Sequence, residues 1–71
     1  MTGQQLQIQV NGELKQLPSA CSLSMLVEQM QLTGKRIAVE LNLDIVPKSE
    51  HADTLLKQGD VVEIVHAIGG G

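Results

Sequence analysis

Polar and apolar residues alternate strictly over residues 5–10 of this 71-residue chain. The apolar positions are Leu6, Ile8 and Val10, and the positions between them are glutamines. A period of two places all three apolar side chains on one face, as in a half-buried β-strand. The segment is therefore predicted to be a strand whose apolar face points inward.

A hairpin is predicted directly after this strand. The dipeptide Asn11-Gly12 favours a two-residue turn because both positions tolerate a positive φ. The returning strand, residues 13–17, is expected to stop at Pro18, whose nitrogen carries no hydrogen for a sheet ladder. Leu14 and Leu17 break the alternation, so a bulge or an early end is expected in this strand.

The hydrophobic pattern then changes to that of a helix. Apolar residues recur at i, i+3, i+4 and i+7, which forms one stripe: Leu23, Leu26, Val27 and Met30. Ser22 precedes the stripe and is a good N-cap candidate. Gly34 suits a C-terminal cap, and Lys35 and Arg36 beside it would favour the negative end of the helix. Met25 lies off the stripe and is expected on the exposed side.

Residues 36–41 predict a third strand, with Ile37, Val39 and Leu41 pointing inward. Residues 42–44 are expected to form a turn, followed by a short extended piece that Pro47 ends.

The last third of the chain predicts an irregular segment and a final strand. Residues 48–56 are interpreted as a turn of helix and a loop in which Leu55 or Leu56 anchors to the core. Gly59-Asp60 marks a turn. In the strand over residues 61–68, Val62 and Ile64 should point inward and Val65 toward solvent.

The order of these elements is a hairpin, a helix, a strand, a short strand and a strand. It predicts an α+β chain of the β-grasp (ubiquitin-like) class, with a mixed sheet packed on one main helix. The last strand is expected to pair parallel with the first, in the middle of the sheet. Residues 1–71 are expected to form a single domain, since this length supports one core, with residues 68–71 as a tail.

The chain ends in Gly69, Gly70 and Gly71. Glycine has no Cβ and accepts backbone angles that other residues cannot. The tail has two interpretations: a frayed end, as is common at termini, or a flexible cord that carries the terminal carboxylate into a narrow channel of another protein. Val65, with Ala67 and Ile68, would then be the docking point beside the tail.

Composition excludes several classes of function. The chain has no aromatic residue, a net charge of −3 and five scattered lysines and arginines, so stacking on bases and phosphate binding are not expected. The N-terminus has no secretory pattern, and no apolar run approaches the roughly 18–20 residues of a membrane span. A cytoplasmic protein, monomeric when alone, with neither nucleic acid nor membrane as partner, is therefore expected.

The candidate chemical residues do not form a catalytic set. Cys21 is the single cysteine, which excludes an internal disulfide and a multi-cysteine zinc site. His51 lies beside Glu50 and Asp53, which could bind a metal but are more typical of a solvated loop. His66 is expected to be a packing or surface residue. We therefore expect no enzyme, no metal site and no cofactor bound by the chain itself.

Six segments together resemble the bacterial ThiS sulfur carriers of thiamine biosynthesis, from about Leu6 to Gly71. They are Asn11-Gly12, Leu26-Val27, Ala38-Val39-Glu40 with Asn42, Ile45-Val46-Pro47, Gly59-Asp60-Val61-Val62-Glu63 and the terminal glycines. The family is ubiquitin-like, in agreement with the predicted order of elements.

The resemblance implies a carrier whose Gly71 carboxylate is modified. An adenylyltransferase of the ThiF type, using ATP and Mg²⁺, would adenylate Gly71. A cysteine desulfurase or a rhodanese-like protein would supply the sulfur of a C-terminal thiocarboxylate. Thiazole synthase (ThiG type) would accept that sulfur, with Gly69 and Gly70 threading the tail into both active sites.

Three alternatives share the predicted fold. The first is a sulfur carrier for molybdopterin synthesis, tRNA thiolation or cysteine synthesis. The second is a ubiquitin-like modifier attached to lysines. The third is a plain interaction domain whose glycines are inert.

Overall fold

The computed structural model describes residues 5–66, and within that range the chain forms five strands, one α-helix and one 3-10 helix. In chain order these are β1 (Gln5–Val10), β2 (Glu13–Pro18), α1 (Leu23–Gln29), β3 (Ile37–Leu41), β4 (Asp44–Val46), the 3-10 helix (Lys48–Asp53) and β5 (Val61–His66). The sheet order is β2-β1-β5-β3-β4. β5 lies in the centre and parallel to β1, as predicted, and its other neighbour is β3, with which it pairs antiparallel.

Both hairpins turn through residues with positive φ. Asn11 and Gly12, with φ of 52° and 84°, join β1 to β2 as the sequence predicts. Asn42 and Leu43, with φ of 52° and 74°, join β3 to β4. Asp44 was expected in that turn and instead begins β4, where it pairs with Leu41.

The predicted bulge or early end in β2 is wrong. The strand pairs with β1 without interruption, from Val10 opposite Glu13 to Gln5 opposite Pro18. Regular pairing turns Leu17 into the core and leaves Leu14 on the other face, 67% exposed. An exposed leucine on a regular strand, and not an irregular backbone, accounts for the broken alternation.

Helix α1 begins as predicted and ends earlier. The Ser22 hydroxyl accepts a hydrogen bond from the Met25 N–H at 3.2 Å, which caps the first turn. The predicted cap at Gly34 is wrong, because the left-handed residue is Gln31, with φ of 61°. The Leu32 N–H donates to the carbonyl of Val27 at 3.0 Å, the bond that closes a Schellman motif.

This early reversal has a packing reason. It lets Met30 and Leu32, on either side of Gln31, both pack against the core. Gly34, with φ of 83°, serves the following turn instead, where the Lys35 N–H donates to the Leu32 carbonyl at 3.0 Å.

The core lies between the sheet and α1 and is aliphatic apart from one cysteine. Its buried members are Ile8, Val10, Leu17, Cys21, Leu23, Leu26, Val27, Val39, Leu56, Val62 and Ile64. Of the two candidate anchors after the 3-10 helix, Leu56 is buried and Leu55 is exposed. Met25 is exposed as expected.

Candidate functional site

The solvent side of the sheet carries the candidate docking residue. We use "outer sheet face" for seven exposed or half-buried side chains of the sheet surface away from α1: Leu14, Ala38, Glu40, Ile45, Val61, Glu63 and Val65. On β5, Val62 and Ile64 are buried and Val65 is 57% exposed, which confirms the predicted parity of this strand. Val65 pairs with Ala38 of β3, so its neighbour across the sheet is small and leaves it accessible.

Two carboxylates lie side by side on this face. Glu40 of β3 and Glu63 of β5 are directly opposite in the antiparallel register, and Glu40 is opposite Ile45 on its other side. Like charges in directly opposite positions destabilise a sheet. The outer sheet face therefore combines apolar side chains with negative charge, a surface suited to a partner that presents apolar and basic groups.

The second half of β5 is held by the first hairpin turn. β1 pairs with β5 only through Gln9 and Val10, but the Asn11 side chain extends the contact. Its Oδ1 accepts a hydrogen bond from the Ile64 N–H at 2.8 Å, and its backbone N–H donates to Val62 O at 2.9 Å. Sequence reasoning assigned Asn11 to the turn and missed this role of its side chain.

The last described pair of the sheet joins His66 to Ile37. β5 therefore reaches the first residue of β3 before the described chain ends. The remaining predicted site residues, Ala67, Ile68, Gly69, Gly70 and Gly71, lie outside the described residues. Their roles stay predictions.

Asn42 and Asp60, two residues that carry the family resemblance, form a hydrogen-bonded network at the opposite end of β5. Asn42 Oδ1 accepts from the Val61 N–H at 2.9 Å, while the Asn42 N–H donates to Val61 O at 2.8 Å. Asn42 Nδ2 donates to Asp60 Oδ1 at 3.1 Å, and Asp60 Oδ2 accepts from the Lys57 N–H at 2.8 Å. These side chains fix the start of β5 and the preceding turn, so their role here is structural.

Cys21 lies in the core and is 1% exposed. Its thiol donates a weak hydrogen bond to Ser22 O at 3.5 Å. Burial raises the pKa of the Cys21 thiol above its ordinary value. Since the thiolate is the reactive form, Cys21 is a packing residue and is poorly suited to nucleophilic chemistry.

The interpretation of His51 as part of a solvated loop is wrong. The side chain is buried, and its Nε2 lies 3.0 Å from Val46 O. Because a carbonyl only accepts, Nε2 carries the proton and donates, which ties the 3-10 helix to β4. No pattern in the sequence distinguishes such a histidine from an exposed one.

The described residues, 5–66, bring no metal site together. Among them there is no group of three or more histidine, cysteine, aspartate or glutamate side chains placed to hold an ion, and His66 is exposed on β5. Over the same residues, no helix has both the length and the apolar character needed to cross a membrane.

Comparison with known proteins places this arrangement in a family. The model of the ThiS family matches residues 8–71. The sulfur carrier protein ThiS of Bacillus subtilis is 35% identical over 65 residues, covering 90% of this chain and 98% of that protein. A crystal structure of the thiamine biosynthesis protein ThiS from Geobacter metallireducens superposes with a TM-score of 0.80 at 25% identity, covering 93% of this chain and all of that one.

A longer relative contains a similar region. A thiazole synthase of Paramagnetospirillum magneticum is 36% identical over 66 residues, or 93% of this chain, but this chain spans only 20% of that protein's length. The family match, the full-length relative and the superposed structure agree with the β-grasp sheet described above. The chain belongs to the ThiS family.

Proposed function

We propose that this chain is the sulfur carrier of thiamine biosynthesis, and that its C-terminal Gly71 is the group that carries the sulfur. The observation that supports this most is the family match, which extends to Gly71. The similar protein of Bacillus subtilis is named a sulfur carrier and is matched over nearly its whole length.

The proposed reaction begins at the Gly71 carboxylate. One carboxylate oxygen attacks the α-phosphorus of ATP and pyrophosphate leaves, which gives an acyl-adenylate. Activation is needed because a carboxylate oxygen is a poor leaving group. The terminal sulfur of a donor persulfide then attacks the carbonyl carbon and AMP leaves. The product is an acyl disulfide with the donor's cysteine. A second thiol attacks the sulfur of that cysteine and forms a new disulfide with it. The old S–S bond breaks, and the transferred sulfur leaves on Gly71 as the thiocarboxylate.

In this scheme the chain is a substrate of other enzymes and not a catalyst. ATP and Mg²⁺ belong to an adenylyltransferase of the ThiF type, and the persulfide to a cysteine desulfurase or a rhodanese-like protein. The burial of Cys21 supports this division, because the chain's own thiol is placed to pack and not to react. We propose that this exchange takes place in the cytoplasm.

The adenylyltransferase is proposed to dock on the outer sheet face. Val65 is the exposed apolar residue on β5 nearest the tail, and Ala67 and Ile68 would continue that contact. Glu40 and Glu63 beside it would favour a basic partner surface. Gly69 and Gly70 would pass through a channel that side chains would obstruct.

Thiazole synthase is proposed to accept the sulfur. Its support is that two proteins named thiazole synthase each contain a region, one fifth of their length, similar to this chain. A carrier domain joined covalently to the synthase would meet its partner at a high effective concentration.

The test is deletion of Gly71 followed by measurement of ATP–pyrophosphate exchange with the cognate adenylyltransferase. Exchange should be abolished while the circular-dichroism spectrum stays that of the intact chain, since no described core residue is touched. Exchange at the unchanged rate would refute the proposal. Replacement of Gly3, at the other end of the chain, by alanine is the matched control and should leave exchange intact.

A further inference from the structure

A cavity of about 150 Å³ lies on the helix side of the sheet, remote from the outer sheet face. It is bounded by α1, by the turn that follows the helix and by the 3-10 helix. We use "rear cavity" for this space. Residues 32–35, which follow the early end of α1 at Gln29, form one side of it.

The interior of the rear cavity is apolar. Val27, Leu32 and Ile37 contribute aliphatic walls, and all three also pack in or against the core. The buried His51 forms another part of the wall, and its hydrogen bond to Val46 O holds the 3-10 helix in place. An apolar space of about this volume accommodates a group the size of benzene, and so one leucine or phenylalanine side chain.

The opening of the rear cavity is basic. Lys35 and Lys48 come from different elements, are both exposed and both line the cavity, while no carboxylate of residues 5–66 does so. These are two of only five lysines and arginines in a chain of net charge −3. Apolar walls with convergent polar groups at the rim are the usual features of a binding pocket.

The rear cavity also lies close to the end of the described chain. Ile37 lines it and is the residue of β3 that pairs with His66. A protein that receives the residues after His66 must therefore approach this end of the sheet. The rear cavity and the outer sheet face flank that end from opposite sides and carry opposite charge.

On the basis of the function proposed above, we infer that the rear cavity is a second docking site, for an acidic segment of the thiazole synthase. One apolar side chain of that segment fills the cavity, and a neighbouring carboxylate pairs with Lys35 and Lys48. The outer sheet face, with Glu40 and Glu63, repels such an acidic segment. Opposite charge on the two faces thus lets the carrier distinguish the enzyme that accepts its sulfur from the enzyme that adenylates it.

The test measures the affinity of the full chain for purified thiazole synthase. Lys48→Glu should weaken binding about tenfold, since it reverses one charge of the rim. Lys57→Glu makes the same charge change at an exposed lysine outside the cavity and should alter the affinity less than about twofold. Equal effects of the two substitutions would overturn the inference.

A steric variant tests the cavity itself. Ser24 is exposed on α1 and lines the cavity, so Ser24→Phe obstructs it without a change of charge. It should also weaken synthase binding about tenfold, whereas unchanged binding would show that nothing enters the cavity.

ATP–pyrophosphate exchange separates this inference from the proposed function. Both variants should retain exchange with the adenylyltransferase. A variant that loses both ATP–pyrophosphate exchange and synthase binding would refute the division between two faces. Absence of exchange in the unmodified chain would instead refute the carrier function.

Discussion

Substitution of Val65 tests whether the outer sheet face is the docking surface for the adenylyltransferase. Three variants separate charge from burial: Val65→Glu and Val65→Lys introduce opposite charges, and Val65→Thr keeps the shape of the side chain while adding one hydroxyl. If Val65 is buried in the complex, both charged variants must bind poorly regardless of sign.

The expected magnitude follows from the exposure of the side chain. Full burial of a valine contributes about 1.5–3 kcal/mol, and Val65 is 57% exposed, so its remaining burial is worth about 1 kcal/mol. A charge placed in an apolar contact without a partner adds at least the desolvation cost of an unsatisfied polar group, about 1–3 kcal/mol. The sum, about 2–4 kcal/mol, corresponds to about 30-fold or more in Kd.

The two charged variants should differ in their effect on folding. Position 65 lies on the same face as Glu63, two residues away on β5, and diagonal to Glu40 across the sheet. Val65→Glu adds a third carboxylate and should lower the free energy of unfolding by about 0.2–1 kcal/mol, whereas Val65→Lys should not. Neither variant creates a cavity, so both should remain folded.

Affinity for the adenylyltransferase is measured by calorimetric titration, and the free energy of unfolding by urea denaturation followed with circular dichroism. The chain has no aromatic residue, so intrinsic fluorescence would not report on its folding. If the Val65→Lys variant binds the adenylyltransferase as tightly as the unmodified chain does, Val65 is not part of the interface. Val65→Thr should bind within about threefold of the unmodified chain.

Three further predictions concern the fold. Asn42→Gly should lower the free energy of unfolding by about 1–3 kcal/mol in urea denaturation, because two side-chain hydrogen bonds are lost. Asn42→Ala should lower it by about 1 kcal/mol more, since φ at this position is 52°. Equal stability of the two variants would contradict this account. Cys21 should resist iodoacetamide in the folded chain and react in concentrated urea, because burial raises its pKa; rapid labelling of the folded chain would contradict its burial. Because the thiol ionises at a lower pH in the unfolded chain than in the folded one, the free energy of unfolding should also fall when the pH rises past the ordinary pKa of cysteine. Glu40→Gln should raise the midpoint of urea unfolding by relieving its repulsion with Glu63, worth about 0.2–1 kcal/mol; a lower midpoint would show that the pair is compensated.

Much of the fold was predictable because local chemistry and tertiary packing agree there. The alternation of β1, the Asn11-Gly12 turn and the Ser22 cap each specify a local structure that the sheet and helix then use. The parity of β5 could be read in the same way, so the exposure of Val65 was predicted correctly.

The errors arose where packing overrides a local signal. Gly34 is the expected helix terminator, but Gln31 takes the left-handed conformation because this brings Met30 and Leu32 onto the core. His51 is buried because the 3-10 helix packs beside α1, and its Nε2 donates to Val46 O of β4. Neither relation is visible before the elements are assembled.

The candidate site was predictable only in part for the same reason. The exposed Val65 follows from the period of one strand, whereas the rear cavity joins residues from α1, the turn after it and the 3-10 helix. The paired carboxylates likewise depend on the register of β3 against β5, which a single sequence does not specify.

The central claim is that Gly71 carries sulfur, and intact mass spectrometry of the protein isolated from its native host tests it most directly. The account predicts a population in which one oxygen is replaced by sulfur, with fragmentation that locates the change at Gly71. A chain that carries only an unmodified carboxylate during active thiamine synthesis, or one joined through Gly71 to lysines of other proteins, would contradict it.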